Sequence, residues 1–272
     1  GFADSIWGRE AQSNVIDGGG GNDTIVGLGG DDDLDGQGGT DTASYATAPS
    51  GVIVSLAPGT FAGCLGAYLL VGFLSAVCSC VHGDLLVGSS SANVLEGMGG
   101  PDTLLGAGGA DTLTGGPGRD TAAYVAAAWG VTASLDTDTA ASDGDGSSDT
   151  FLSIQALTGS SHADDLSGSA GSPDTIRSLG CDDIVRSRDA SPDELDCGAG
   201  SDRALIAASE LSISGCEIAD DPRATATPVI TGSSPASGAD DNAPEIVGSA
   251  PAGSIVELFG SGSCAGAPLA AG

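Results

Sequence analysis

The sequence predicts an all-β fold: a parallel β-roll, that is, a β-solenoid of short strands and turns, followed by a partial β-sandwich segment. Three observations predict it. Asp23, Asp32 and Asp41 stand nine residues apart, and so do Asp102, Asp111 and Asp120. Each Asp closes a glycine-rich stretch: residues 18–26 read GGGGNDTIV, 27–35 GLGGDDDLD and 36–44 GQGGTDTAS, while 97–105 read GMGGPDTLL, 106–114 GAGGADTLT and 115–123 GGPGRDTAA. Two residues after the Asp, four of these six units carry a large apolar side chain: Ile25, Leu34, Leu104 and Leu113. A unit of nine has room for one turn and one short strand, and units at a fixed short period stack into solenoids.

Composition sharpens the reading. The chain has 272 residues, 46 of them Gly, with 37 acidic residues against 7 basic ones and a formal charge of −30. Seven Arg and no Lys cannot build a basic face for nucleic acid, and an anionic membrane surface repels such a chain. High charge with 4% aromatics would ordinarily mean disorder. The regular spacing of the acids changes that conclusion, because a hard cation held at each turn would neutralise them.

The elements follow in chain order. In the first block, residues 1–60, six residues of the form GGxGxD make a turn whose glycines reach left-handed dihedrals and leave carbonyls free to point at an ion. The Asp adds a carboxylate, and three residues make a strand whose central side chain points inward. Two units make a coil of 18 residues, so turns on one side come from every second unit. Coils stack at a strand spacing of roughly 4.8 Å. Residues 61–83 form an apolar connector. The second block and connector, 84–163, repeat the first at an offset of 79: DTASY at 41–45 returns as DTAAY at 120–124, and GVIVSL at 51–56 as GVTASL at 130–135. Asp4-Ser5-Ile6, Asp84-Leu85-Leu86 and Asp164-Asp165-Leu166 mark the module starts at steps of 80. A degenerate third block fills 164–222, keeping Asp174, Asp182 and Asp183, with Cys181 where one frame wants Gly.

The run 61–81 has about the length of a membrane span, and 58–83 carry no formal charge. Its place in the repeat, where Phe73-Leu74-Ser75 aligns with Phe151-Leu152-Ser153, favours a soluble connector, and no basic flank orients an insertion. In 223–272 evenly spaced Pro and Gly separate short β-rich runs at 228–231 and 254–259. The absence of an initiating Met suggests a fragment of a longer secreted protein.

The units fit G-G-x-G-x-D-x-U-x, with the second Gly often replaced, and here the chain resembles the hemolysin-type calcium-binding (RTX) repeat family. The resemblance implies calcium as the ion, bound between turns n and n+2. Calcium's need for six to eight oxygens fits two stacked turns. FLSIQALTGS at 151–160 is similar to the family's connector ending, and DELDCGAGSD at 193–202 with SGCE at 214–217 to a terminal segment found after such repeats in secreted proteins. The tail at 224–268 resembles the opening strands of a bacterial Ig-like domain. RTX modules work outside the cell, where calcium is plentiful and disulfides persist. Cys197 and Cys216, both in the terminal segment, are the favoured disulfide. Cys64, Cys78 and Cys80 with His82 could offer zinc three thiolates and an imidazole, but the spacing matches no standard finger. A disulfide among the three, or free thiols packed in the connector, is preferred.

An enzyme is not expected. There are two His and no Lys, and the chain lacks G-x-S-x-G, HExxH and a phosphate loop. The Asp residues are accounted for by the repeat. The expectation is an extracellular, non-enzymatic calcium-binding roll that folds on calcium and presents structure at or near the cell surface. The alternatives are the carrier module of a secreted hydrolase and an adhesin stalk. Calcium ions are the expected partner. The candidate ligand turns are Gly18, Gly21 and Asp23 with Gly36, Gly39 and Asp41, and Gly97, Gly100 and Asp102 with Gly115, Gly118 and Asp120. Asp32 and Asp111 are candidate ligands of weaker sites, because they stack on turns ending in Asn14 and Asn93. Asp120→Ala is therefore expected to cost more affinity than Asp111→Ala.

Overall fold

The computed structural model describes residues 1–10, 12–57, 60–63, 66–79, 81–187, 191–206, 212–216, 218–220, 229–234, 245–249, 257–258 and 270–271. Among them every regular element is a strand and none is a helix. Two units divide the chain, Gly1–Ala219 and Asp220–Gly272.

The first unit is the β-roll. Successive strands alternate between two faces: Thr24–Val26 lies in a 13-stranded sheet, Asp32–Asp35 in a 4-stranded one and Asp41–Ser44 back in the first. Further on, Thr103–Leu105, Thr112–Thr114 and Thr121–Ala123 alternate between an 8-stranded sheet and the 13-stranded one. Pairing is parallel and joins units two apart: Ile25 faces Ala43, Leu95 faces Leu113, and Leu104 faces Ala122. These registers give the 18-residue coil expected of two nonads. In the degenerate block the coil lengthens to 19, as in Leu157 facing Ile176 and Val185 facing Ala204.

A three-residue strand buries one side chain inward, so the core is a ladder of single residues. Ile25, Leu34, Leu86, Leu95, Leu104, Leu113, Leu166, Ile176 and Val185 are fully buried, as are Ala43 and Ala122 where the large residue is missing. Tyr45 and Tyr124, two positions beyond those alanines, are buried beside them and join the same core. Burying a side chain the size of Leu or Ile is worth roughly 1.5–3 kcal/mol. Each coil of the nonad blocks thus adds about two such residues.

The connectors break the alternation by inserting a hairpin. In the first, Thr60–Gly63 and Gly66–Val71 pair antiparallel, and the second of these lies parallel to Asp32–Asp35. In the second, Thr139–Ser142 pairs antiparallel with both Thr132–Ser134 and Asp149–Leu152. The first hairpin lies in the 4-stranded sheet and the second in the 13-stranded sheet, so equivalent hairpins sit on opposite faces. The expected alignment of Phe73 with Phe151 needs correction. Leu34 faces Leu70 and Leu113 faces Phe151, so Leu70 is the structural equivalent of Phe151. Thr42 faces Ser75 and Thr121 faces Ala156, which makes Ser75 the equivalent of Ala156. The buried position on the strand sets the register, and the shared Phe-Leu-Ser letters fall on different strands. Phe73–Val77 lies between Asp41–Ser44 and Val94–Glu96 in the 13-stranded sheet. Among the described residues no helix is long and apolar enough to cross a membrane.

In the second unit Val229–Ser234 pairs antiparallel with Glu245–Ser249, and Glu257–Leu258 with Ala270–Ala271. Most of the expected Ig-like segment lies outside the described residues.

Candidate metal sites

Each glycine turn is fixed by three contacts. The first glycine lies under its own Asp: a Cβ at Gly36 would stand 2.7 Å from Asp41 Oδ2, and one at Gly97 would stand 2.2 Å from Asp102 Oδ2. The second position is left-handed whatever residue fills it, with φ of 71° at Leu28, 62° at Gln37, 72° at Met98 and 65° at Ala107. The fourth glycine abuts the coil before it, so that a Cβ at Gly39 would meet the Gly21 carbonyl oxygen at 1.7 Å. Turns two units apart also bond directly. Gly38 N–H donates to Gly19 O at 2.9 Å, Gly21 N–H to Gly38 O at 2.9 Å, and Gly100 N–H to Pro117 O at 3.0 Å.

The Asp side chains form a ladder along the roll. Asp23 N–H donates to Asp41 Oδ1 at 2.8 Å, and Asp102 N–H to Asp120 Oδ1 at 2.9 Å. Asn14 N–H donates to Asp32 Oδ1 at 2.9 Å and Asn93 N–H to Asp111 Oδ1 at 2.7 Å, which is the expected stacking of those two Asp on Asn turns. The ladder continues through residues the motif did not single out as ligands. Asp84 N–H donates to Asp102, Asp111 N–H to Asp149, Asp120 N–H to Gln155 Oε1, Asp164 N–H to Asp183, and Asp183 N–H to Asp202. Gln155 therefore fills the rung of an Asp with a neutral amide.

The second carboxylate oxygen separates two kinds of turn. Oδ2 of Asp23, Asp32, Asp41, Asp102, Asp111 and Asp120 is buried without a hydrogen-bond partner. These are the six Asp of the glycine nonads. At Asp84, Asp164 and Asp174 a serine closes the turn, whereas Asp183 Oδ2 in the degenerate block is buried without a hydrogen-bond partner although Ser178 stands at its first-glycine position. Asp84 Oδ2 accepts from the Ser79 backbone N–H and hydroxyl, both at 2.8 Å. Ser160 N–H donates to Asp164 Oδ2 at 2.7 Å and its hydroxyl to Oδ1 at 2.8 Å. The Ser169 hydroxyl donates to Asp174 Oδ2 at 2.9 Å. A buried, unpaired carboxylate oxygen is costly, so the six glycine turns need something that the serine turns supply internally.

Burial, opposed by the ladder N–H and reinforced by neighbouring carboxylates, pushes Asp102 and Asp111 up to about 7. Burial also raises Asp120, and lifts Asp149 and Asp183 to about 6. Arg186 pairs with Asp165, and Arg119 bonds Thr175.

The donor set fits calcium. It is made of oxygen, with an orphaned carboxylate oxygen in each turn and a glycine whose missing Cβ makes room for it. Among the described residues no three His, Cys, Asp or Glu side chains converge on one point. The turns would instead hold calcium with paired Asp and backbone carbonyls. When bound, calcium supplies the positive charge that this buried oxygen ladder lacks.

Cys197 and Cys216 form the expected disulfide, with Cα atoms 5.1 Å apart. Cys78 is buried with a free thiol, and burial beside Asp84 and Asp102 raises its pKa. Cys181 is exposed and left-handed at φ 79°, in keeping with its place where one frame wants Gly. The zinc alternative rests on Cys64 and Cys80, which lie outside the described residues.

The family model of the RTX calcium-binding nonapeptide repeat matches residues 10–43 and 87–122, in 4 copies. No curated protein matches the chain. Residues 10–43 and 87–122 thus match RTX calcium-binding repeats, and calcium is the ion that such repeats bind.

Proposed function

We propose that this chain is an extracellular calcium-binding β-roll, folded by calcium after export, that presents structure at or near the cell surface. One observation carries the reading: six Asp in six glycine turns each bury an unpaired Oδ2, whereas the turns closed by Ser79, Ser160 and Ser169 supply a donor of their own. RTX repeats are typically structural and calcium-binding, and the Asp residues here are used up by the ladder. Asp23 with Asp41 and Asp102 with Asp120 form the principal pairs, each turn offering its carboxylate and the carbonyls between its glycines. Asp32 is the poorest placed, facing Asn14 on one side and Tyr68 on the other.

Metal binding here supplies folding free energy. Circular dichroism is expected to show β structure in millimolar calcium that is lost with chelator, and a β spectrum indifferent to chelator would sink the proposal. Asp41→Ala is expected to lower calcium affinity more than Asp32→Ala.

A further inference from the structure

The second connector carries a buried acid that no repeat motif covers. Asp143 is fully buried. Its Oδ1 accepts from Asp145 N–H at 2.8 Å and Ser147 N–H at 2.9 Å, while its Oδ2 is buried without any partner. Residues 120–161 contain no Arg, Lys or His, so its own segment brings no cation to it.

The loop that carries Asp143 packs on a glycine turn. Asp111 N–H donates to Asp149 Oδ1, so the segment 143–149 occupies the coil position directly after the turn 106–111. The Cβ of Asp145 lies 3.7 Å from the point where a Cβ at Gly108 would stand, which brings the loop against the middle of that turn. Asp111 Oδ2 is also buried and unpaired. Both oxygens of Asp149 already accept a hydrogen bond, Oδ1 from the Asp111 N–H and Oδ2 from the Tyr124 hydroxyl at 2.9 Å. Two buried carboxylate oxygens without a hydrogen-bond partner, Asp111 Oδ2 and Asp143 Oδ2, therefore belong to a turn and a loop packed on one another.

We propose a further calcium site between the turn 106–111 and the connector loop 143–149, with Asp111 and Asp143 as its carboxylate ligands. Backbone carbonyls of the two loops complete the oxygen shell, in keeping with the absence of a three-carboxylate cluster among the described residues. The proposal rests on the reading that the glycine turns bind calcium. It overturns the expectation that Asp111 is a weak ligand, an expectation that weighed only its Asn93 neighbour. The first module provides the internal contrast: Asp32 faces Tyr68 where Asp111 meets Asp149, and residues 58–83 carry no formal charge.

Asp143→Asn keeps Oδ1 for the two N–H groups and removes the charge. Equilibrium dialysis of the full chain at saturating calcium is expected to count one ion fewer per chain in Asp143→Asn than in the unmutated protein. An unchanged count overturns the site. Crystals of the unmutated chain loaded with a lanthanide give a reading that does not depend on a variant folding. An anomalous peak between Asp111 Oδ2 and Asp143 Oδ2 supports the site, and peaks confined to the paired nonad turns overturn it. A chain that binds no calcium refutes the broader reading as well, whereas normal binding with an unchanged count refutes this site alone.

Discussion

Gly36 and Gly38 lie two residues apart in one turn, and their α-carbons see different surroundings. A methyl at Gly36 would stand 2.7 Å from both Cβ and Oδ2 of Asp41 and 2.9 Å from its Cγ, whereas at Gly38 the nearest atom is Gly19 O at 3.7 Å. Neither glycine is left-handed, so both tolerate Ala in backbone terms, and both substitutions reduce unfolded-chain freedom alike. The difference between them therefore isolates one event, displacement of the Asp41 carboxylate. That carboxylate holds the Asp23 N–H at 2.8 Å, a bond to a charged group worth about 1.5–3 kcal/mol. At about 1.4 kcal/mol per tenfold, Gly36→Ala should raise the calcium midpoint of folding by roughly ten- to a hundredfold. Gly38→Ala should stay within about twofold of the unmutated chain, since surface changes clear of such features move stability by about 0.5 kcal/mol or less. Calcium titrations followed by circular dichroism read both. Equal midpoints for the two variants would show that the first glycine is not there to seat the carboxylate.

Two further expectations concern the calcium-free chain. Burial raises Asp102 and Asp111 to about 7 and Asp149 and Asp183 to about 6, above the usual carboxylate range. The folded state then binds more protons than the unfolded one, so this contribution is fully present below about pH 4 and is lost as pH rises through about 6 to 7. In chelator, β content should grow as pH falls from 7.5 towards 5, and a chain that loses β content on acidification contradicts the assignment. Ser79→Ala removes the hydroxyl from Asp84 Oδ2, a bond to a charged group worth about 1.5–3 kcal/mol. Thermal melts in calcium should show a loss of that order, and an unchanged melting temperature would show that the serine does not close its turn.

Much of the roll was legible because its rules are local. The Asp period fixed the 18-residue coil, and the apolar residue two places on fixed the ladder of buried side chains. Pairing of Asp23 with Asp41 and Asp102 with Asp120 followed from the same arithmetic. The connectors were harder to read, because a hairpin takes its register from which side chain gets buried. Leu70, not Phe73, answers to Phe151, although the letters suggest otherwise. Asp149 and Gln155 escaped notice as rungs because their place depends on the coils that the hairpin displaces. The turn ending at Asp84 reads SCVHGD where that ending at Asp102 reads GMGGPD, and Ser79 at the first-glycine position is what closes the former on its carboxylate.

The carboxylate ladder gives the roll an arrow. Among the described residues each rung runs from the N–H of an earlier coil to a side-chain oxygen of a later one, a carboxylate at every rung but that of Gln155. Removing a coil from the amino-terminal end leaves an acceptor facing water, where it is readily hydrated. Removing one from the carboxyl-terminal end takes the acceptor from an N–H inside the ladder, at about 1–3 kcal/mol. A later coil is therefore a finished seat for the one before it, and the reverse does not hold. The late coils also carry the serine-closed turns of Asp164 and Asp174 and the Cys197–Cys216 bridge, none of which needs an ion, beside Asp183, whose Oδ2 is buried without a hydrogen-bond partner. Order can begin there without calcium and spread towards the glycine turns, which complete themselves only when the ion arrives.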